Sequence, residues 1–154
     1  MILYFAYGSN MSRALMRRHC RAAKELGTAM LDGHRFVITA DGYASIVAAA
    51  GETVHGVLWR LAPRDLAALN AYESLDSGLY RRVRLPVRAE GRRISALVYV
   101  ARARGEGRPK AGYLDLVLAA AREQDLPDEY VRSLARWSPT RWRGARAAET
   151  GELA

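Results

Sequence analysis

The strongest constraint in this sequence is the series of strand-like segments, separated by glycine-containing turn signals, that fills its centre. Around "LDGHRFVI", Leu31 to Ile38, two strand-like stretches flank Asp32-Gly33, a dipeptide suited to the positive φ angles of a tight hairpin turn. "ASIVAAAGETVHGVLWRL", Ala44 to Leu61, repeats the pattern with Gly51 in the turn. In its second arm His55, Val57, Trp59 and Leu61 share one face, and Gly56, Leu58 and Arg60 share the other. A third hairpin runs through "YRRVRLPVRAEGRRISALVYV", where Val83, Leu85 and Val87 alternate with Arg82, Arg84 and Arg88, and Glu90-Gly91 turns. Successive hairpins can bury their apolar faces only by curling into a largely antiparallel sheet with helices packed outside it, so the expected class is α+β.

The helices are legible by period and by their ends. "SRALMRRH" reads as a short helix capped by Ser12. In "PRDLAALNAYE" Pro63 suits a first turn, Asp65 sits near the positive end of the dipole, and Leu66, Leu69 and Asn70 share one stripe. "YLDLVLAAAREQ" and "PDEYVRSLARW" give two more, divided by Leu126-Pro127, and "RGEGRPKAG", Arg104 to Gly112, reads as a mobile loop.

At 154 residues, half of them hydrophobic, the chain supports one core. The expected organisation is one domain over residues 1–137 followed by a basic tail over 138–154. No apolar run is long enough to cross a membrane, and "MILYFAY" lacks the basic flank and cleavage site of a secretory signal, so the expected compartment is the cytoplasm. The single Cys20 excludes an internal disulfide, and His19, His34 and His55 make no metal-ligand spacing, so neither metal nor cofactor is expected. A formal charge of +8 permits nucleic-acid binding, but the arginines are scattered and form no recognisable nucleic-acid motif. A solvated basic surface is the preferred reading, and a homodimer is left open.

Two places do not read as packing alone. Glu73 lies seven positions after Leu66 and four after Leu69, so helical geometry carries the apolar stripe onto its carboxylate. An inward carboxylate must either pair with an arginine, with Arg81, Arg82 and Arg84 nearby, or hold its proton toward neutrality. The exit "ESLDSGLY" through Ser77-Gly78 then brings Tyr80 toward that carboxylate. The second place is "YFAYGSNM", Tyr4 to Met11, where a buried aromatic strand stops on Gly8, Ser9 and Asn10. Such a turn either binds an anion through uncovered N–H groups, aided by the following helix start, or is an ordinary strand-to-helix turn with Asn10 left-handed.

"YFAYGSNM", "GVLWRL" (Gly56 to Leu61) and "LNAYESLDSGLY" (Leu69 to Tyr80), in this order and spacing, resemble the γ-glutamylcyclotransferase family, over a span from Leu3 to about Trp137. The resemblance implies a small mixed β-barrel flanked by helices. It also implies conversion of a γ-glutamyl amino acid or amine to 5-oxoproline and the free amine. It makes Glu73 the catalytic acid/base and Tyr4, Phe5, Ala6, Tyr7, Gly8, Ser9 and Asn10 the substrate-binding stretch, with Tyr80, Tyr99 and Tyr113 matching tyrosines at the pocket. The partner it implies is a small γ-glutamyl compound. "YGSN" resembles the γ-glutamyl-amino-acid branch, in contrast to "YGSL" of the glutathione-specific branch and "YGTL" of the branches acting on γ-glutamylamines or acylated natural products. Two positions depart from the family pattern: Asn70, where Asp is usual, and Ser74, where Gly is common.

Overall fold

The computed structural model describes residues 1–73, 78–102 and 105–138. Ser74, Ser77, Arg104 and the basic tail beyond Ser138 lie outside the described residues. The chain runs β1 (Ile2–Ala6), a 3-10 turn (Ser9–Met11), α1 (Arg13–His19), β2 (Lys24–Ile38), β3 (Ala44–Leu61), α2 (Pro63–Tyr72), β4 (Tyr80–Ala89), β5 (Arg92–Ala101), α3 (Tyr113–Glu123) and α4 (Asp128–Ala135). The strands close into a barrel in the order β1-β3-β2-β4-β5. Every pairing is antiparallel except β1 with β5, where Tyr4 faces Leu97 in parallel and shuts the barrel. The α+β class and the mixed barrel flanked by helices are therefore as expected.

Two of the three expected hairpins are not hairpins. β2 passes through Asp32-Gly33 and β3 through Gly51 without reversing, and the register jumps between Asp32↔Thr53 and His34↔Ala48. Gly33 and Gly51 take the expected positive φ of 77° and 82°, but they use it to bend paired strands as a bulge rather than to end them. Asp32 bridges the strands at the bend. Its carboxylate accepts from Arg88 Nε and Nη2, each at 2.9 Å, and from Thr53 Oγ1 at 3.0 Å, tying β2 to β3 and β4. The chain reverses later, over residues 39–43, where Thr39 N donates to Tyr43 O and Gly42 has φ 91°. The third hairpin is as read: Glu90 and Gly91, at φ 51° and 75°, join β4 to β5.

The helices follow their sequence signals. Ser12 Oγ accepts from Leu15 N at 3.2 Å and caps α1. In α2 the Asp65 carboxylate accepts from Ala62 N at 2.9 Å and from Ala22 N at 3.2 Å, which fixes the helix start against the loop after α1. Leu69 is fully buried on the stripe that faces the barrel. The core is closed tightly enough at one crossing to require glycine: a Cβ on Gly56 would stand 2.3 Å from Ala6 O and 2.8 Å from Phe5 Cζ. The segment expected as a mobile loop is pinned where it passes the sheet, through Gly107 N to Ile38 O, Lys110 N to Gly42 O and the Arg35–Glu106 ion pair. No helix among the described residues is long and apolar enough to cross a membrane.

Candidate active site

α2 ends at its C-cap, Glu73, whose N–H donates to Leu69 O at 2.8 Å. That geometry aims the carboxylate inward, as the apolar stripe predicts, into a cavity of about 260 Å³ at the end of the barrel. The wall opposite comes from the other unusual stretch. β1 stops at Ala6, and the 3-10 turn holds Ser9 and Asn10 almost wholly away from solvent. Trp59 Nε1 donates to Asn10 O at 3.2 Å and Gln124 Nε2 to Met11 O at 3.0 Å, so β3 and the end of α3 both brace this turn.

The two stretches meet through Asn10. Its Nδ2 donates to Glu73 Oε2 at 3.2 Å and to the Tyr4 hydroxyl at 3.1 Å. No Lys, Arg or His forms an ion pair with Glu73 among the described residues, and Arg81, Arg82 and Arg84 are exposed. The expected ion pair at the helix end is thus absent among the described residues. Burial alone pushes the Glu73 carboxyl from its ordinary 4.5 up to about 7.

Tyr4, Tyr7, Gly8, Ser9, Asn10, Tyr80, Tyr99 and Tyr113 line the cavity with Glu73. Phe5 and Ala6 do not: Phe5 is fully buried against Gly56, and Ala6 is 1% exposed within the ladder to β3. The tyrosine hydroxyls are mostly spent on structure. Tyr7 Oη donates to Tyr99 O at 2.5 Å and Tyr80 Oη to Ala44 O at 2.7 Å, so Tyr80 reaches the cavity but bonds away from the carboxylate. Tyr113 Oη accepts from Ala44 N at 3.4 Å and stands beside the Ser9 hydroxyl. Burial, reinforced by the Glu73 charge, raises the Tyr4 and Tyr113 phenols and keeps them protonated at neutral pH.

The turn differs in detail from both expectations. Asn10 is not left-handed, since Glu90 and Asp125 are the only non-glycine residues with positive φ among the described ones. Nor does α1 lend its end, because it starts at Arg13 behind its own cap. The N–H groups of Gly8, Ser9 and Asn10 instead open the 3-10 turn and have no acceptor among the described residues. Gly8 comes close to the far wall, where a Cβ would lie 3.0 Å from Tyr113 Oη.

Asn70, one of the two departures, has a definite place. Its Oδ1 accepts from Tyr99 Oη at 2.5 Å and from Arg82 Nη1 at 3.0 Å, while the Tyr99 ring meets Tyr4 edge-on at 5.7 Å. α2 therefore grips the pocket twice, through Asn70 to Tyr99 and through Glu73 to Asn10. Asn70→Leu, which removes the acceptor at similar size, is expected to lower stability by ~1 kcal/mol by leaving the Tyr99 hydroxyl without an acceptor for its proton, a loss that denaturant unfolding measures.

Tyr43, Ala44, Tyr72, Leu79 and Leu116 also line the cavity and were not foreseen. For Tyr43 and Ala44 the sequence carried no signal, because the true turn lies at 39–43. Tyr72 next to Glu73, and Leu116 one helical turn after Tyr113, were available clues. Cys20 is buried, with Sγ donating to Asp65 O at 3.6 Å and burial pushing the thiol up to about 11, which fits packing and not chemistry.

The family described as "Gamma-glutamyl cyclotransferase, AIG2-like" matches residues 4–116, which includes every cavity residue named above. The chain is 28% identical to the gamma-glutamylcyclotransferases of Mus musculus and Homo sapiens, in each case with 98% of this chain and 86% of the relative covered. A solved gamma-glutamyl cyclotransferase superposes with a TM-score of 0.83 over 99% of this chain and 93% of its own, at 24% identity, and so shares the fold. With the family match spanning most of the chain and both unusual stretches, this protein belongs to the gamma-glutamyl cyclotransferase, AIG2-like family.

Proposed function

We propose that the protein is a γ-glutamylcyclotransferase that releases 5-oxoproline from a γ-glutamyl amino acid, with Glu73 as acid and base. The observation that carries this reading is a partly buried carboxylate with no cationic partner among the described residues, hydrogen-bonded to the YGSN turn across one cavity. Ring closure forms a bond from the glutamyl α-nitrogen to the γ-carbonyl carbon and breaks the γ-amide C–N bond. Glu73 takes the proton that the α-amine gives up and returns it to the departing nitrogen, so the products are 5-oxoproline and a free amino acid. A carboxyl held at about 7 suits both halves of that transfer. The attack is intramolecular, so the pocket has chiefly to hold the glutamyl chain folded back, and orientation of this kind is worth ~7–11 kcal/mol in favourable systems.

The N–H groups of Gly8, Ser9 and Asn10 supply the donors for a carboxylate or developing oxyanion, since no Lys or Arg lines the cavity among the described residues. No covalent nucleophile takes part. The "YGSN" form supports an amino acid as the leaving group.

Release of 5-oxoproline from a γ-glutamyl dipeptide tests the reading. Its pH profile tests the role of Glu73. The reacting form is the carboxylate, so kcat/KM is expected to rise with pH through about 7, following loss of the Glu73 proton. A profile flat from pH 5 to pH 8 would remove Glu73 as the base.

A further inference from the structure

Substrate preference at the cavity mouth rests on the cyclotransferase reading, which fixes the direction in which a substrate binds. Its α-amine must reach Glu73, so the glutamyl unit lies innermost and the leaving group points outward. The inner wall is closed and polar, with Tyr4, Ser9, Asn10, Tyr80 and Tyr99 each less than a tenth exposed. The outer wall differs. Tyr72, the last residue of α2, is 44% exposed and Leu116, on the outer face of α3, is 50% exposed. Both line this one cavity, whereas the other exposed large hydrophobic side chains among the described residues, Met1, Leu26 and Val47, are not part of it. Tyr43 and Leu79, half-buried, complete the mouth, and no charged side chain other than Glu73 lines the cavity among the described residues.

The rings of this mouth are held by neighbouring side chains. His19 lies against Tyr72 with ring centroids 4.0 Å apart, and Tyr43 meets Tyr113 edge-on at 5.3 Å with Lys110 Nζ 5.9 Å from its ring centroid. Held aromatic and aliphatic surface, continuous with a polar catalytic pocket, is a binding surface for an apolar group, since a ligand there releases water from the ring faces and the Leu79 and Leu116 side chains. A small leaving residue leaves these walls wet, and a charged one meets no charged side chain other than Glu73 among the described lining residues.

From this we infer that the preferred leaving group is an amino acid with a large apolar side chain, such as leucine or phenylalanine, seated between Tyr72 and Leu116.

The test compares kcat/KM for 5-oxoproline release from γ-glutamyl-leucine, γ-glutamyl-phenylalanine, γ-glutamyl-glycine and γ-glutamyl-glutamate, in wild type, Leu116→Asp and Tyr72→Ser. Wild type is expected to favour leucine and phenylalanine over glycine and glutamate by ~10-fold or more, the range that added methylenes give in an apolar pocket. The ratio should fall several-fold toward one in both variants. The glycine substrate serves as the internal standard, so a general loss of activity cannot imitate the result. A wild-type ratio near one, or a preference for glutamate, would overturn the inference. So would a ratio that survives both substitutions, above all if Leu116→Asp changes the oligomeric state in light scattering, which would make the mouth a surface between copies of the chain. Absence of 5-oxoproline from every dipeptide is a different outcome, since it removes the cyclotransferase reading itself.

Discussion

Glu73→Gln is expected to lower turnover by ~10²–10⁴-fold, with much smaller loss in substrate binding. Glutamine keeps the size and accepts from Asn10 Nδ2 as the carboxylate does, but it cannot take a proton from the α-amine. Stability should hold or rise, and linkage gives the sign. The native carboxyl titrates at about 7, against an ordinary value of 4.5. Between those values the folded chain holds a proton that the unfolded chain has lost, so stability falls as pH rises through that window and levels off above it. The cost at neutral pH is on the order of 3 kcal/mol, at about 1.4 kcal/mol for each pKa unit. Glu73→Gln removes that slope. Melting curves at pH 5 and pH 8 should therefore converge in the variant, and a variant that is destabilised yet fully active per folded molecule would return Glu73 to a structural role.

The second large effect is expected at Gly8. Its Cβ would stand 3.0 Å from Tyr113 Oη and 3.4 Å from Ala44 Cβ, so Gly8→Val pushes two further carbons into the space between the turn and the far wall. Displacing reacting groups by about 1 Å costs ~10²-fold in rate, and kcat/KM for a γ-glutamyl dipeptide should fall by at least that. The melting temperature should change less, because Gly8 lies outside both strand and helix and its φ of −114° is not left-handed. Parallel losses of folding and activity would instead mark the turn as a structural joint.

The legibility of each feature in the sequence depends on the range of the interaction that sets it. Ser12, Pro63, Asp65 and Glu90-Gly91 act within a few residues of themselves, and each ends or turns its element where the sequence indicates. The inward aim of Glu73 was readable for the same reason, since helical period depends only on the spacing from Leu66 and Leu69. Asp32-Gly33 and Gly51 misled because a positive φ serves a bulge as well as a turn, and the ladder that continues past them pairs residues distant in sequence. That one difference moved the reversal to residues 39–43 and delivered Tyr43 and Ala44 to the cavity. Closure of the barrel by parallel pairing of Tyr4 with Leu97 is likewise a long-range event, expected through family resemblance and not through any local pattern. The resemblance also reached further along β1 than the cavity does. Phe5 and Ala6 belong to the same contiguous stretch as the pocket residues, yet Phe5 packs against Gly56 and Ala6 stays in the ladder.

The central claim, that this pocket closes a γ-glutamyl unit on itself, is tested most directly by product analysis. Purified protein is incubated with γ-glutamyl-leucine, and 5-oxoproline, free leucine and free glutamate are quantified together. Cyclisation predicts 5-oxoproline and leucine in equal amounts, no glutamate above the uncatalysed background, and loss of both products in Glu73→Gln. Leucine released with glutamate in place of 5-oxoproline would mean that water attacks the γ-carbonyl and not the α-amine, and would contradict the mechanism even though Glu73 were essential.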